Sequence, residues 1–253
     1  MTAKSLSSAV HVGGLPVRNE AETPTLRVVA ISDTHGMHAS LNVPPGDILV
    51  HGGDFTRFGS QTDAIDFNIW LGTLPHLHKF VVFGNHEVNA PWRDQAAEIL
   101  TNATLLCNSS ASLERLKSSH GREIHSDGAT SSSQRPLCIW GTDFYWPVVA
   151  EEGRCFFEPP YAHIPAGIDL LLTHCPPAVP GVDDGVGCGF LLDHVRRARP
   201  QSVVCGHIHQ AHAVVEGSGE LDGIIFVNAS NAGGPGAKQH SRRIGWPAVV
   251  LDL

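Results

Sequence analysis

Short apolar runs that each end in glycine and polar residues recur along the chain, and they predict buried β-strands followed by turns. The first run covers residues 28–31 and stops abruptly at Ser-Asp-Thr-His-Gly. Its β-branched, uninterrupted apolar character is typical of a strand buried on both faces. Further strands are predicted at residues 47–50, 77–83, 137–140, 170–173, 202–205, 223–227 and 248–253.

Helical signals lie between these strands. Ser60 and Asp63 resemble the start of a capped helix, and Ile65 and Ile69 are spaced to form its buried apolar stripe. Pro91 is suited to the first turn of a second helix. A third helix is predicted from one apolar face, which is made of Leu191, Val195 and Ala198.

The alternation of strands and helices predicts an α/β fold. With 253 residues, of which 42% are hydrophobic, the chain can bury one large core. Residues 1–24 are rich in Ser, Gly and Pro and lack apolar periodicity, so we expect a flexible lead-in there. Residues 25–253 are then expected to form a single domain.

Charge and composition exclude several classes of protein. A formal net charge of −8 and a pI near 6.0 argue against an extended nucleic-acid surface. No stretch approaches the roughly 20 apolar residues of a membrane span, and residues 1–24 lack the apolar core of a signal peptide. The six cysteines include no C-x-x-C pair, which indicates reduced thiols. We therefore expect a cytoplasmic protein without a membrane partner.

The candidate chemistry lies in the turns that follow the predicted strands. Each motif alone is also explained by an ordinary turn, in which Asp caps the backbone and His forms a hydrogen bond. Recurrence at five strand ends favours a shared metal site instead. In a near-extended chain, Asp33 and His35 lean to the same side and can hold one ion. The candidate metal ligands are Asp33, His35, Asp54, Asn85, His174, His207 and His209.

The number and type of these ligands indicate the cofactor. Seven ligands exceed the needs of one ion and suit two divalent ions that share a carboxylate. Mixed oxygen and imidazole donors favour Mn, which we expect first, or Fe, Zn or Ni, over Ca. No cysteines have the spacing of a tetrahedral structural zinc site. His86, beside Asn85, is a candidate proton donor or acceptor.

Five ordered motifs resemble those of the calcineurin-like metallophosphoesterases. They are Asp33-Thr-His35, Gly53-Asp54, Gly84-Asn85-His86-Glu87, Thr173-His174 and Gly206-His207-Ile208-His209. Neighbouring segments, including His174-Cys175-Pro176-Pro177, are similar to the branch of class III cyclic-nucleotide phosphodiesterases and animal metallophosphoesterase-domain proteins. The resemblance implies a four-layer α/β sandwich, in which two mixed sheets pack face to face with helices on both outer sides.

The resemblance also implies roles for the candidate residues. A hydroxide that bridges the two ions would attack the phosphorus of a small phosphoester, most simply a phosphodiester such as a cyclic nucleotide. His86 would face the substrate and supply a proton to the leaving group. One ion would be held by Asp33, His35, Asp54 and His209, and the other by Asp54, Asn85, His174 and His207.

Two departures from the family pattern bear on the substrate. Where phosphoprotein phosphatases of this superfamily continue with Asp-Arg-Gly, this chain has Thr56, Arg57, Phe58 and Gly59, which disfavours phosphoprotein substrates. Cys175 stands where the animal branch usually has glycine. A phosphomonoesterase and a nucleotide pyrophosphatase use the same metals and stay open as alternatives, as does a non-catalytic interaction scaffold.

An aromatic loop follows the strand predicted at residues 137–140. It contains Phe144, Tyr145 and Trp146, which are candidate substrate-binding residues. Such a loop either stacks on a nucleobase or packs onto the body of the protein, and the sequence leaves both possibilities open.

Overall fold

A computed structural model describes residues 10–12, 26–114, 135–145, 159–236 and 243–253. In chain order its strands are β1 (Val10–Val12), β2 (Arg27–Ile31), β3 (Ile48–His51), β4 (His78–Val81), β5 (Thr104–Leu105), β6 (Ser109–Leu113), β7 (Leu137–Gly141), β8 (Leu170–Leu172), β9 (Ser202–Cys205), β10 (Ala213–Glu216), β11 (Ile225–Asn228) and β12 (Val249–Asp252). Its α-helices are α1 (Gln61–Thr73), α2 (Ala96–Ile99) and α3 (Gly189–Ala198).

The strands form two mixed sheets of six strands each. The first sheet has the order β1-β12-β2-β3-β4-β5, and β2 to β5 run parallel. The second has the order β10-β11-β9-β8-β7-β6, in which β11, β9, β8 and β7 run parallel. Antiparallel strands flank both parallel blocks. All the parallel strands of one sheet therefore end on the same edge, where turns can meet.

Three apolar clusters hold the layers together. Alternate residues of both sheets, such as Val28 and Val50 from the first and Ile139 and Val204 from the second, form a fully buried central core. The opposite face of the first sheet packs against α1 and α2, and that of the second packs against α3. The four-layer α/β sandwich expected from the sequence is thereby confirmed.

Helix α1 buries a different face from the predicted one. Ser60 caps the helix as expected, because its Oγ accepts a hydrogen bond from the Asp63 N–H at 3.2 Å. Ile65 and Ile69, however, are 47% and 61% exposed. The helix has apolar residues on both sides, so spacing alone does not select the buried one. Phe67 and its neighbours on the same face, Ala64 and Leu71, fill the core, and the Phe67 ring stacks on Phe55 at 4.6 Å.

Other elements depart from the sequence predictions. Residues 10–12, which lie in the expected lead-in, form β1 and pair with β12. The edge strand β10 was not predicted, because its half-buried residues owe their conformation to pairing with β11. The second helix is reduced to a 3₁₀ turn, Arg93–Gln95, followed by the single turn of α2.

The cysteines and the helices were each the subject of an expectation from the sequence. Cysteines within the described residues are free thiols, as the sequence predicted: Cys107, Cys138, Cys175, Cys188 and Cys205. Across the described ranges, none of the helices combines the length and the apolar character that crossing a membrane requires.

Candidate metal centre

The turns after β2, β3, β4, β8 and β9 meet where the carboxyl ends of the two sheets come together. Ser32, directly after β2, forms an isolated parallel β-bridge with Ser230, which lies on the side of the second sheet. The Ser32 N–H also donates to the side-chain oxygen of Asn231 at 3.0 Å. These contacts join the sheets beside the turn that carries Asp33, so turns far apart in sequence become neighbours.

Two glycines allow these turns to approach more closely than side chains would permit. A Cβ at Gly84 would collide with the carboxylate of Asp54. A Cβ at Gly206 would collide with Ser32 Oγ and with the carboxylate of Asp33. Each glycine therefore lets its own turn press against a carboxylate that comes from another strand.

Four candidate ligands lie in left-handed backbone conformations. Asp33, His35, Asp54 and His207 have φ angles of 55°, 45°, 55° and 69°. The expectation of a near-extended chain at Asp33 and His35 was therefore wrong. Residues with a Cβ rarely adopt this conformation, and such strain concentrates at functional sites.

A first group of donor atoms is built from the turn after β2 and the turn after β9. In this group Asp33, His35 and His209 have ligand atoms within 4.8 Å of one another. His209 Nε2 lies 3.3 Å from Asp33 Oδ1 and 3.1 Å from His35 Nε2. The His207 N–H donates to the Asp33 carboxylate, which orients that side chain.

A second group of donor atoms is built from the turns after β3, β4, β8 and β9. Asp54, His174 and His207 again have ligand atoms within 4.8 Å of one another. Asn85 Oδ1 lies 3.1 Å from His174 Nε2 and 2.9 Å from His207 Nδ1. Asp54 Oδ2 faces both groups, at 3.5 Å from His174 Nε2 and 3.9 Å from His35 Nε2. All seven predicted ligands are thus brought together.

Burial and mutual charge shift the pKa values in this region. Burial disfavours the charge on His174, but the neighbouring Asp54 carboxylate outweighs it and raises the pKa of His174 to about 9. Burial opposes ionisation of Asp54, whereas His174 lowers the pKa of Asp54 to about 2. Burial and the charge of His174 lower the pKa of His207 to about 4. The two buried aspartates thus require positive charge beside them.

The position of the proton on His174 bears on whether these donor atoms can bind a metal ion. Its Nδ1 lies 2.7 Å from the carbonyl oxygen of Gly52, so Nδ1 carries a proton and donates it. The Nε2 lone pair of the neutral ring then points at Asn85 Oδ1 and Asp54 Oδ2, which are also acceptors. Without a metal, a second proton on Nε2 separates these acceptors, in line with the raised pKa of His174. A metal ion would take the place of that proton, and a backbone carbonyl is a usual partner for the other nitrogen of a metal-bound histidine. The donor set therefore fits a divalent transition metal.

His86 lies at the rim between the two groups. Its Nε2 is 3.8 Å from Asp54 Oδ2, and together with His35 and Asp54 it forms a third, overlapping group. Its Nδ1 lies 3.1 Å from the Thr56 carbonyl oxygen and 3.0 Å from the backbone N of Phe58. Main-chain contacts thus aim Nε2 at the donor atoms.

Glu87 is a structural residue of the site to which the sequence patterns assigned no role. Its buried carboxylate accepts hydrogen bonds from the N–H groups of Asp54, Thr56 and Gly84 at 2.9, 2.9 and 3.0 Å. The Thr56 hydroxyl donates to it at 2.6 Å. Glu87 therefore ties the turn of Asp54 to its own, and its place in the Gly-Asn-His-Glu motif was the available signal.

His51 is a second residue that the sequence analysis missed. Its Nδ1 accepts the Gly53 N–H at 3.2 Å, so its Nε2 carries the proton and donates to Thr34 Oγ1 at 3.0 Å. Thr34 lies between Asp33 and His35, and Gly53 precedes Asp54. A neutral, fully buried imidazole therefore supports both turns, and its position before Gly-Gly-Asp was the signal.

The three aromatic residues proposed to bind substrate differ in their positions relative to the donor atoms. The Phe144 ring lies 5.5 Å from the ring of His174 and 5.9 Å from that of His207, so it borders the second donor group. Tyr145 is buried in the core beside α3, and its carbonyl accepts the Tyr161 hydroxyl at 3.1 Å, so it packs the loop onto the body. Trp146 lies outside the described residues.

Comparisons with known proteins agree with this geometry. A family model described as calcineurin-like phosphoesterase matches residues 26–211. The chain belongs to this family. Metallophosphoesterase domain-containing protein 1 of Homo sapiens is 34% identical over 236 residues, which cover 85% of this chain and 69% of that protein. A UPF0046 protein of Caenorhabditis elegans is 33% identical over 255 residues, or 90% of this chain and 81% of that protein.

Solved structures share the fold of this calcineurin-like phosphoesterase. TT1561 of Thermus thermophilus has a TM-score of 0.50 at 13% identity, over 81% of this chain and 88% of that one. GAP50, the anchor in the inner membrane complex of Plasmodium, has a TM-score of 0.53 at 12% identity, over 90% of this chain and 81% of that one. Family membership makes the present protein a metal-dependent phosphoester hydrolase, of a family that typically binds two divalent metals.

Proposed function

We propose that this protein is a phosphodiesterase whose seven donors hold two divalent ions. The supporting observation is the place of Asp54, whose Oδ2 faces His35 on one side and His174 on the other. A carboxylate shared by two sets of donors is the arrangement that a pair of ions uses. The proposed sets are Asp33, His35, Asp54 and His209 for one ion, and Asp54, Asn85, His174 and His207 for the other.

The ions, when bound, would neutralise the phosphate oxygens and make a water molecule nucleophilic near neutral pH. Imidazole-rich donor sets suit Mn, Fe, Zn or Ni, and we propose Mn first. The free thiols of the described cysteines fit a reducing compartment, and we place the enzyme in the cytoplasm.

His86 is the proposed proton donor to the leaving oxygen. The two main-chain contacts of Nδ1 belong to different protonation states: an unprotonated Nδ1 accepts the Phe58 N–H, whereas a protonated Nδ1 donates to the Thr56 carbonyl oxygen. In the ring protonated on both nitrogens, the proton on Nε2 is the one aimed at the donor atoms. Transfer of the Nε2 proton leaves a neutral ring that keeps its bond to Thr56. The main chain thus fixes which proton is given away.

One side chain beside the donors supports a cyclic nucleotide as the substrate. Phe144, beside His174 and His207, suits the base of a cyclic nucleotide.

A substrate panel tests this function. Protein reconstituted with Mn²⁺ is given a cyclic nucleotide, a linear diester, a monoester and a nucleotide pyrophosphate, and kcat/KM is measured for each. We expect both diesters to be preferred, and Asp54→Asn to be inactive on all four. Preference for the monoester or the pyrophosphate would overturn the diesterase assignment. If elemental analysis found no metal bound after reconstitution, and no ester were turned over, the interaction scaffold would be favoured.

A further inference from the structure

Phe58 is a large apolar residue at the rim of the donor atoms to which the proposed reaction gives no role. It is 80% exposed, and its ring stacks on the imidazole of His86 with centroids 5.1 Å apart and planes 17° apart. Its φ of 55° lies in the left-handed region, which is unfavourable for a bulky residue. Hydrophobic stabilisation follows the area removed from water, so folding gains little from this exposed ring.

The turn that presents Phe58 is held by hydrogen bonds to buried groups. The Gly59 N–H donates to Thr56 Oγ1 at 3.1 Å, and the same hydroxyl donates to Glu87. The indole N–H of buried Trp92 donates to the Gly59 carbonyl at 2.7 Å. The backbone of the turn is therefore fixed, and it places the ring of Phe58 beside His86.

The orientation of His86 does not require the Phe58 ring. The two contacts of His86 Nδ1 are to main-chain groups, the N–H of Phe58 and the carbonyl of Thr56. A Phe58→Ala variant keeps both groups and loses only the ring. The ring is thus available for a purpose other than holding the histidine.

We propose that Phe58 determines specificity by stacking on a planar aromatic ring in the leaving group of the substrate. The inference rests on the proposed function, in which His86 gives its Nε2 proton to the leaving oxygen. Because Phe58 stacks on His86, a leaving group bonded to Nε2 lies beside the exposed Phe58 ring. The inference concerns linear diesters, because both ester oxygens of a cyclic nucleotide belong to one nucleoside. In a linear diester Phe144, on the side of His174 and His207, then contacts the group that stays on phosphorus.

The test compares two methyl diesters that differ only in the leaving group. One releases a phenol and the other a fluoroalkanol of matched acidity, so that chemistry at phosphorus is equally difficult. Wild type, Phe58→Ala and Phe58→Trp are assayed with Mn²⁺ for release of methyl phosphate. Phe190→Ala is the control, because Phe190 is also exposed, at 50%, and lies in the first turn of α3, which contributes no candidate ligand.

We expect Phe58→Ala to lower kcat/KM for the phenyl diester about tenfold, which is within the range measured for aromatic stacking on bases. The fluoroalkyl diester should change less than about twofold, Phe58→Trp should restore the phenyl diester, and Phe190→Ala should match wild type. An equal loss on both diesters would assign Phe58 to the positioning of His86 and overturn the proposal. Unchanged rates on both would overturn it as well.

A binding measurement separates this inference from the proposed function. Calorimetry gives the affinity of metal-loaded wild type and Phe58→Ala for the methyl monoesters of benzylphosphonate and propylphosphonate. Both are monoanions, like a diester, and a methylene replaces the leaving oxygen, so that the benzyl or propyl group cannot depart. We expect only the benzylphosphonate ester to bind the variant more weakly. If neither diester is hydrolysed, the proposed function fails, and these affinities decide the role of Phe58. Equal affinity of both proteins for the benzylphosphonate ester overturns that role.

Discussion

His174 Nδ1 donates to the carbonyl oxygen of Gly52 across 2.7 Å, and this bond joins the turn after β8 to the turn that carries Asp54. In the neutral ring this bond keeps the proton on Nδ1 and leaves Nε2 free, which is the form that binds metal. We predict that His174→Ala binds about one metal ion per chain where wild type binds about two, and that kcat falls at least about 100-fold. Elemental analysis and turnover measure both.

His163→Ala is the matched control for this prediction, because His163 is exposed in the 3₁₀ turn Pro160–His163. It should bind metal and turn over substrate like wild type. Full metal content in His174→Ala would remove His174 from the ligand set.

His86 is predicted to matter most when the leaving group is poor. His86→Gln removes the proton donor but keeps the seven candidate ligands, so metal content should stay at the wild-type level. The loss of kcat should be about 10²- to 10⁴-fold on an alkyl diester and much smaller on a nitrophenyl diester, whose leaving oxygen needs no proton. Metal analysis and the dependence of rate on leaving-group acidity provide the measurements. A parallel loss of metal would instead make His86 a ligand, in keeping with its overlapping donor group.

Glu87→Gln is predicted to destabilise the protein although the two side chains have the same shape. Each carboxylate oxygen accepts two hydrogen bonds, one pair from Thr56 and one from the N–H groups of Asp54 and Gly84. The amide of glutamine would turn its NH₂ towards one of these pairs of donors. We expect the free energy of unfolding to fall by about 2–4 kcal/mol, measured by urea denaturation. Glu98→Gln, on the exposed side of α2, should change it by less than about 0.5 kcal/mol.

His51 is predicted to make the fold sensitive to acid. Burial lowers its pKa from 6.5 to about 3. Below the ordinary pKa of histidine the unfolded chain binds a proton that the folded chain does not, so stability is complete above that value and falls as the pH drops towards 3. Between about pH 7.5 and about pH 5, this residue alone should remove about 2 kcal/mol of stability.

His51→Asn is the variant that isolates this effect. Its side-chain oxygen can accept the Gly53 N–H in place of Nδ1, but it does not titrate. We expect the variant to be less stable than wild type at neutral pH and to lose less stability on acidification. Urea denaturation at the two pH values gives the difference, and equal acid losses in both proteins would contradict the prediction.

The convergence of the candidate ligands could be predicted because the signal of each one is local. Asp54 and His174 each lie in the turn that follows an apolar strand, and the ends of parallel strands in packed sheets meet at one edge. The conformation of the turns could not be predicted, since the left-handed φ angles of Asp33 and His35 arise from contacts with other turns. His35 N, for example, donates to the carbonyl of Asp54 at 2.9 Å.

Residues that support the fold through packing or hydrogen bonds were harder to predict from the sequence. On α1, Ile65 and Phe67 are both apolar, and only the stack of Phe67 on Phe55 selects the buried face. Glu87 was visible within a motif, but its role depends on N–H groups that come from the turn of another strand. Sequence patterns identify which side chains can do chemistry, whereas the supporting contacts require the folded chain.

The left-handed backbone at Asp33 and Asp54 makes glycine an unusual replacement at these positions. Glycine adopts such a conformation without steric cost, so deletion of the side chain relaxes the turn while it removes the carboxylate. A small carboxylate supplied in the buffer, such as formate, can then occupy the space left behind. The activity of Asp33→Gly should therefore recover in a saturable way as formate is added, because the carboxylate of formate replaces the one that the substitution removed.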